Sequence, residues 1–98
     1  MEDILPQELK ERLDKKEELA IIDVREEWEH QEVNIGGENI PMGLVPYRLD
    51  DLEQFKDQEL IIYCKSGNRS GQVKNFLEDQ GYNKVRNLLL GIEGYLSL

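Results

Sequence analysis

The stretch Cys64-Lys65-Ser66-Gly67-Asn68-Arg69-Ser70 is where this sequence concentrates its chemistry. A thiol of ordinary pKa, about 8.5, is only a few per cent ionised at pH 7, yet the thiolate is the nucleophile. Cationic neighbours and a helix amino terminus lower that value. Lys65 and Arg69 supply the cations, and Gly67 permits positive φ or close backbone approach. Ser66 offers a further hydrogen-bond donor, and Ser70 is placed to cap a following helix. Ahead of the cysteine, Leu60-Ile61-Ile62-Tyr63 reads as a strand that delivers Cys64 to its carboxyl end, with a helix starting about six residues later. Ligands in open α/β sheets bind outside such strand ends. A short loop curling toward a helix start aims several backbone N–H groups at its own centre, which makes a nest for an anion. The residue types therefore describe a nucleophilic or redox cysteine that receives an anionic substrate. A lone cysteine at a strand end is more often a small buried hydrophobe, but the Lys, Gly and Arg that follow shift the balance toward chemistry. On the plainer reading, Arg69 pairs with a surface carboxylate and Lys65 is solvated charge.

The elements that must position this loop follow from the patterning. Leu19-Ala20-Ile21-Ile22-Asp23-Val24 is apolar on both faces, as a strand of a helix-covered parallel sheet should be. Val85-Arg86-Asn87-Leu88 is a weaker strand, and Asn39-Ile40 is a short piece closed by Pro41. Gln7 to Leu13, behind Pro6, and Ser70 to Gln80, ended by Gly81, have helical spacing. Gly43 to Lys56 has room for one or two short helices, and Gly91 to Leu98 for a terminal turn. Short apolar runs alternating with helical periodicity define an α/β class in a single domain, 1–98.

Composition narrows the function. Twelve Lys and Arg against 21 Asp and Glu leave a net charge of −9, which disfavours nucleic acid or an anionic membrane as partner. One Cys and one His exclude an internal disulfide and a multi-thiolate cluster, and argue against a metal site. No nucleotide fingerprint is present, so no cofactor is expected. The apolar runs are far shorter than the roughly 20 residues that span a bilayer. Met1-Glu2-Asp3-Ile4-Leu5 is acidic and has no secretory pattern, so the expected compartment is the reducing cytoplasm. Trp28 and Tyr47 are expected to pack rather than to stack on a cofactor.

Taken in order along the chain, these motifs resemble those of a single-domain rhodanese, a sulfurtransferase. Cys64-Lys65-Ser66-Gly67-Asn68-Arg69, with Ser70 opening the next helix, is similar to the family's active-site loop. Asp23-Val24-Arg25-Glu26 with Trp28-Glu29, Gly36-Gly37 with Asn39-Ile40-Pro41, and Asn87-Leu88 through Gly91 resemble its other motifs. The resemblance implies a small parallel sheet with helices on both faces and a persulfide on Cys64 cradled by loop N–H groups. It implies catalysis by Cys64, with Lys65, Ser66, Gly67, Asn68, Arg69 and Ser70 binding substrate. The partners implied are a small anionic sulfur donor such as thiosulfate and an acceptor that is a thiol, cyanide or a sulfur-carrier protein. Asp23 and Arg25 would organise the neighbouring loop, with a plain internal salt bridge standing as the equal alternative to their direct contact with substrate. The chain departs from the family pattern at Val33-Asn34, where Gly-His is usual, and at Leu90, where the closing motif has a second Gly. His30, four residues before Asn34, reads as a helix-surface residue.

Two other functions compete. A cysteine phosphatase or arsenate reductase also sets a thiolate beneath an anion loop, but phosphatase loops place five residues between Cys and Arg, whereas four, Lys65 to Asn68, stand here. No Asp general acid lies in this loop. A non-catalytic regulatory or binding module is the second rival, and retention of Cys64 with both loop cations argues against it.

Overall fold

The computed structural model describes all 98 residues. Four strands, β1 (Ala20–Asp23), β2 (Glu38–Asn39), β3 (Leu60–Tyr63) and β4 (Val85–Asn87), form one parallel sheet in the order β2-β1-β3-β4. Five helices accompany it: α1 (Pro6–Asp14), α2 (Glu27–Glu32), α3 (Leu49–Leu52), α4 (Asn68–Asp79) and α5 (Gly91–Leu96). This is the α/β class that the patterning predicts and the small parallel sheet that the resemblance implies.

Side chains alternate across a strand, and here both faces are covered. Ile22, Ile62 and Cys64 face a core shared with Val45, Leu52, Val73 and Leu77. Ile21, Ile61 and Tyr63 face the other, shared with Ile4, Leu9, Leu88 and Ile92. α3 and α4 thus cover one side, α1 and α5 the other. All four residues of β3 are fully buried, which explains why its sequence is continuously apolar. In-register pairing of Ala20 with Leu60 through Asp23 with Tyr63 brings Asp23 and Cys64 to the same carboxyl edge.

Several expectations shift. α4 starts at Asn68 rather than Ser70, because Gly67, at φ 104°, turns the chain directly into the helix. Ser70 is therefore inside the first turn and caps nothing. The predicted stop holds, with Gly81 at φ 95°. The segment 42–56 becomes a 3-10 turn, Met42–Tyr47, then α3 and a second 3-10 turn, Glu53–Phe55, since Pro46 prevents a continuous α-helix. Trp28 and Tyr47 lie on the surface, 66% and 84% exposed, rather than in the packing. No helix is long and apolar enough to cross a membrane.

Candidate active site

Cys64 follows β3 and is 1% exposed, yet its sulfur is surrounded by donors. The Gly67 N–H lies 3.1 Å from Sγ, the Ser70 N–H 3.4 Å and the Ser70 hydroxyl 3.3 Å. Burial pushes the thiol up, but the Ser70 hydroxyl and the Ser70, Gly67 and Ser66 amides outweigh it, leaving the thiol below its ordinary value. Amides turn inward because the loop carbonyls are held elsewhere. Ile92 and Glu93 N–H groups at the start of α5 donate to the Cys64 and Lys65 carbonyls at 2.9 and 3.1 Å. That approach requires Gly91, where a Cβ would sit 2.3 Å from the Lys65 carbonyl oxygen. The Gly67 carbonyl accepts from the Gly71 N–H at 3.0 Å and from Asn87 Nδ2 at 3.1 Å.

Beside the loop, Asp23 and Arg25 form the internal ion pair that was one of the two alternatives. Arg25 donates through Nε and a terminal nitrogen to both Asp23 oxygens, at 3.0 and 2.7 Å, with both residues buried. The same guanidinium donates to the Val33 carbonyl at 2.7 Å, fixing the exit of α2. Burial opposes its charge, but the Asp23 hydrogen bonds and charge prevail and hold Arg25 more firmly protonated. His30 is not a free helix-surface residue: its Nδ1 lies 2.8 Å from Asp23 Oδ2, because the second turn of α2 faces the end of β1. Asn34, at the position of the usual His, is exposed and bonds locally, to the His30 carbonyl and the Gly36 N–H.

Arg69, one of the two cations expected to flank the cradle, is paired with a carboxylate, as its plainer reading has it. Its guanidinium donates to both Glu29 oxygens at 2.8 and 3.1 Å. The Arg69 hydrogen bond is the main reason that the Glu29 carboxyl is held down at about 2. Glu29 also accepts from the Glu26 N–H, one half of a capping box at the start of α2. Lys65 is exposed and has no carboxylate partner; Ser66 and Asn68 are exposed too. A cavity of about 280 Å³ opens beside the loop, lined by Arg25, Trp28, Glu29, Lys65, Ile92 and Glu93 among others. No three His, Cys, Asp or Glu side chains converge so as to hold a metal ion.

The structure thus gathers Cys64, Gly67 and Ser70 at the sulfur and puts Lys65 at the mouth, while Arg69, Asp23 and Arg25 are taken up in ion pairs. Sequence reasoning missed Asn87 as a support of the loop, the α5 amides behind it and Glu29 as the partner of Arg69. Asn87, Gly91 and Glu29 stood in the sequence only as members of motifs, and Glu29 also in the capping-box spacing Glu26-x-x-Glu29, none of which told of these contacts, that of Glu29 with Arg69 spanning 40 residues.

Comparison with known proteins agrees with this geometry. The Rhodanese family, described as a rhodanese-like domain, matches residues 5–98. A sulfurtransferase of Allochromatium vinosum is 38% identical over 86% of this chain and 78% of its own length. The thiosulfate sulfurtransferase PspE of Escherichia coli is 36% identical over 67% of this chain and 64% of its own. Among solved structures, SSP1007 of Staphylococcus saprophyticus superposes with a TM-score of 0.81 at 37% identity, covering 97% of this chain and 93% of that one. The chain belongs to the rhodanese-like family, and its fold is the rhodanese fold.

Proposed function

We propose that this protein is a sulfurtransferase that carries a sulfane sulfur on Cys64. The observation that carries the reading is the Cys64 sulfur itself, buried but met by the Gly67 and Ser70 N–H groups and the Ser70 hydroxyl. Such a site favours a sulfur anion and is compact enough for one added sulfur atom. In the first half-reaction the Cys64 thiolate attacks the outer sulfur of thiosulfate. A new S–S bond forms, the S–S bond of the donor breaks, and sulfite leaves with the electron pair. In the second, an acceptor thiolate or cyanide takes the outer sulfur and returns Cys64 as the thiolate. Lys65, unpaired at the mouth, attracts the donor anion, and Ser66, Gly67, Asn68, Arg69 and Ser70 form the wall around it. The name of PspE supports thiosulfate as donor. A small thiol or a sulfur-carrier protein fits the open cavity as acceptor, and a reducing cytoplasm would keep the thiol available.

Intact mass after thiosulfate treatment tests this. One added sulfur, absent in Cys64→Ser and removed by cyanide, is the expected result. A folded, reduced protein that gains nothing overturns the thiosulfate reading and directs attention to phosphate-ester and arsenate assays.

A further inference from the structure

Two of the groups facing Cys64 Sγ are the backbone amides of Gly67 and Ser70, which can only donate. The third, the Ser70 hydroxyl, has a single hydrogen and two claimants for it. Its Oγ lies 3.3 Å from Sγ and 2.5 Å from Asn87 Oδ1. The orientation of the Asn87 amide is fixed, because Nδ2 donates to the Gly67 carbonyl at 3.1 Å and leaves Oδ1, an acceptor only, toward Ser70. Asn87 is itself anchored in β4 by its backbone, accepting from the Ile4 N–H and donating to Asp3 Oδ1, both at 3.0 Å. Ser70 is fully buried and Asn87 is 7% exposed, so water has little access to replace a lost partner.

The hydrogen count then has a consequence. While Ser70 donates to Asn87, its lone pairs face sulfur, which suits a protonated thiol donating to Ser70 and opposes a thiolate. Ionisation of Cys64 draws the hydroxyl hydrogen round to sulfur and leaves Asn87 Oδ1 without a donor. An unsatisfied buried acceptor is costly. In a persulfide, the charge resides on the outer sulfur, Cys64 Sγ is neutral, and Ser70 keeps its bond to Asn87.

We infer that Asn87 is a positioning residue that withholds the Ser70 proton from Cys64, restraining the free thiolate relative to the sulfur-loaded state. This deepens the proposed sulfur transfer, but its first consequence, the ionisation of Cys64, is independent of any donor. The charged groups around the sulfur do not take part in the contest. Arg69 of α4 is engaged by Glu29 of α2, and Arg25 by Asp23 at the end of β1. Lys65 is at the mouth with Glu93 of α5, and Asp3, which accepts from the Asn87 N–H, is engaged by Lys74 of α4.

The experiment is the pH profile of Cys64 alkylation by iodoacetamide in the full chain, with folding monitored by circular dichroism. Asn87→Leu is expected to lower the midpoint by about one pH unit, the size set by one hydrogen bond to a charged group. Ser70→Ala removes the shared hydrogen, so adding Asn87→Leu to it is expected to move the midpoint far less, the remainder coming from the Gly67 carbonyl that Asn87 also holds. Asn87→Ala carries the same expectations should the leucine not fold. A midpoint unmoved or raised in the folded Asn87 variant, or an equal fall in the Ser70→Ala background, overturns the inference. Persulfide mass after thiosulfate, measured on the same samples, reports separately on sulfur transfer.

Discussion

The two ends of the sheet are both rich in arginine–carboxylate pairs, and they use them differently. Toward the amino ends of the strands, Glu59 accepts from Arg12 at 2.7 and 2.8 Å and from Arg86 at 2.9 Å, while Arg86 also reaches Glu8. This cluster ties α1 to β4 and to the entry of β3. At the carboxyl ends, Asp23–Arg25 and Glu29–Arg69 are as well made, but they enclose a sulfur that belongs to neither pair. That sulfur is met by neutral N–H dipoles and by the Ser70 hydroxyl. A fixed dipole stabilises an anion without becoming a counter-ion that must be displaced when a second anion arrives. Ion pairs hold both ends together; only the carboxyl end keeps its unpaired donors for chemistry.

The largest way to break this contrast is Asp23→Ala. It leaves Arg25 buried without its partner and should cost about 3–5 kcal/mol in denaturant unfolding, more than any single substitution in the amino-end cluster. Next, Gly91→Ala forces a Cβ against the Lys65 carbonyl and should cost about 3 kcal/mol. It should also slow Cys64 alkylation, because the loop amides lose their alignment; a destabilised variant with unchanged thiol reactivity would separate α5 from the site. Smaller effects follow at the two glutamates. Glu59→Gln should cost about 2 kcal/mol and Glu29→Gln about 1 kcal/mol. Both carboxyls are lowered from 4.5 to about 2 in the folded chain, chiefly by their arginines. Their contribution is therefore present above about pH 4.5 and is lost as the pH falls through about 2. Each Gln variant should flatten that acid loss in pH-dependent unfolding. Only Glu29→Gln, which releases Arg69, should also speed thiosulfate loading at low salt. The smallest expected change is Lys10→Ala, whose pair with Asp14 is exposed, at under about 0.5 kcal/mol in thermal unfolding.

Strands β1 and β3 were legible because residues buried on both faces leave an unbroken apolar run, and the loop because Cys64, Gly67 and Arg69 have distinct chemistry at close spacing. The start of α4 was not, since a glycine at positive φ can end a strand loop or begin a helix, and the sequence does not say which. His30 and Asp23 illustrate a second limit. Seven residues apart, they meet only because α2 folds back over the end of β1, a matter of tertiary packing rather than local pattern. The same holds for Asn87, which the sequence offers only as the first residue of a closing motif until the sheet order sets β4 beside β3 and brings its amide to Ser70 and Gly67.

The position of Trp28 has a practical consequence. It is the only tryptophan in the chain and lies two-thirds exposed on the wall of the cavity beside Cys64. Indole emission from this protein therefore originates at the mouth of the site and nowhere else. Under the proposed sulfur transfer, arrival of a donor anion, or of an acceptor that covers the ring, should change the polarity and quenching around that one fluorophore. The order of the two events would then be timed by stopped flow without a label.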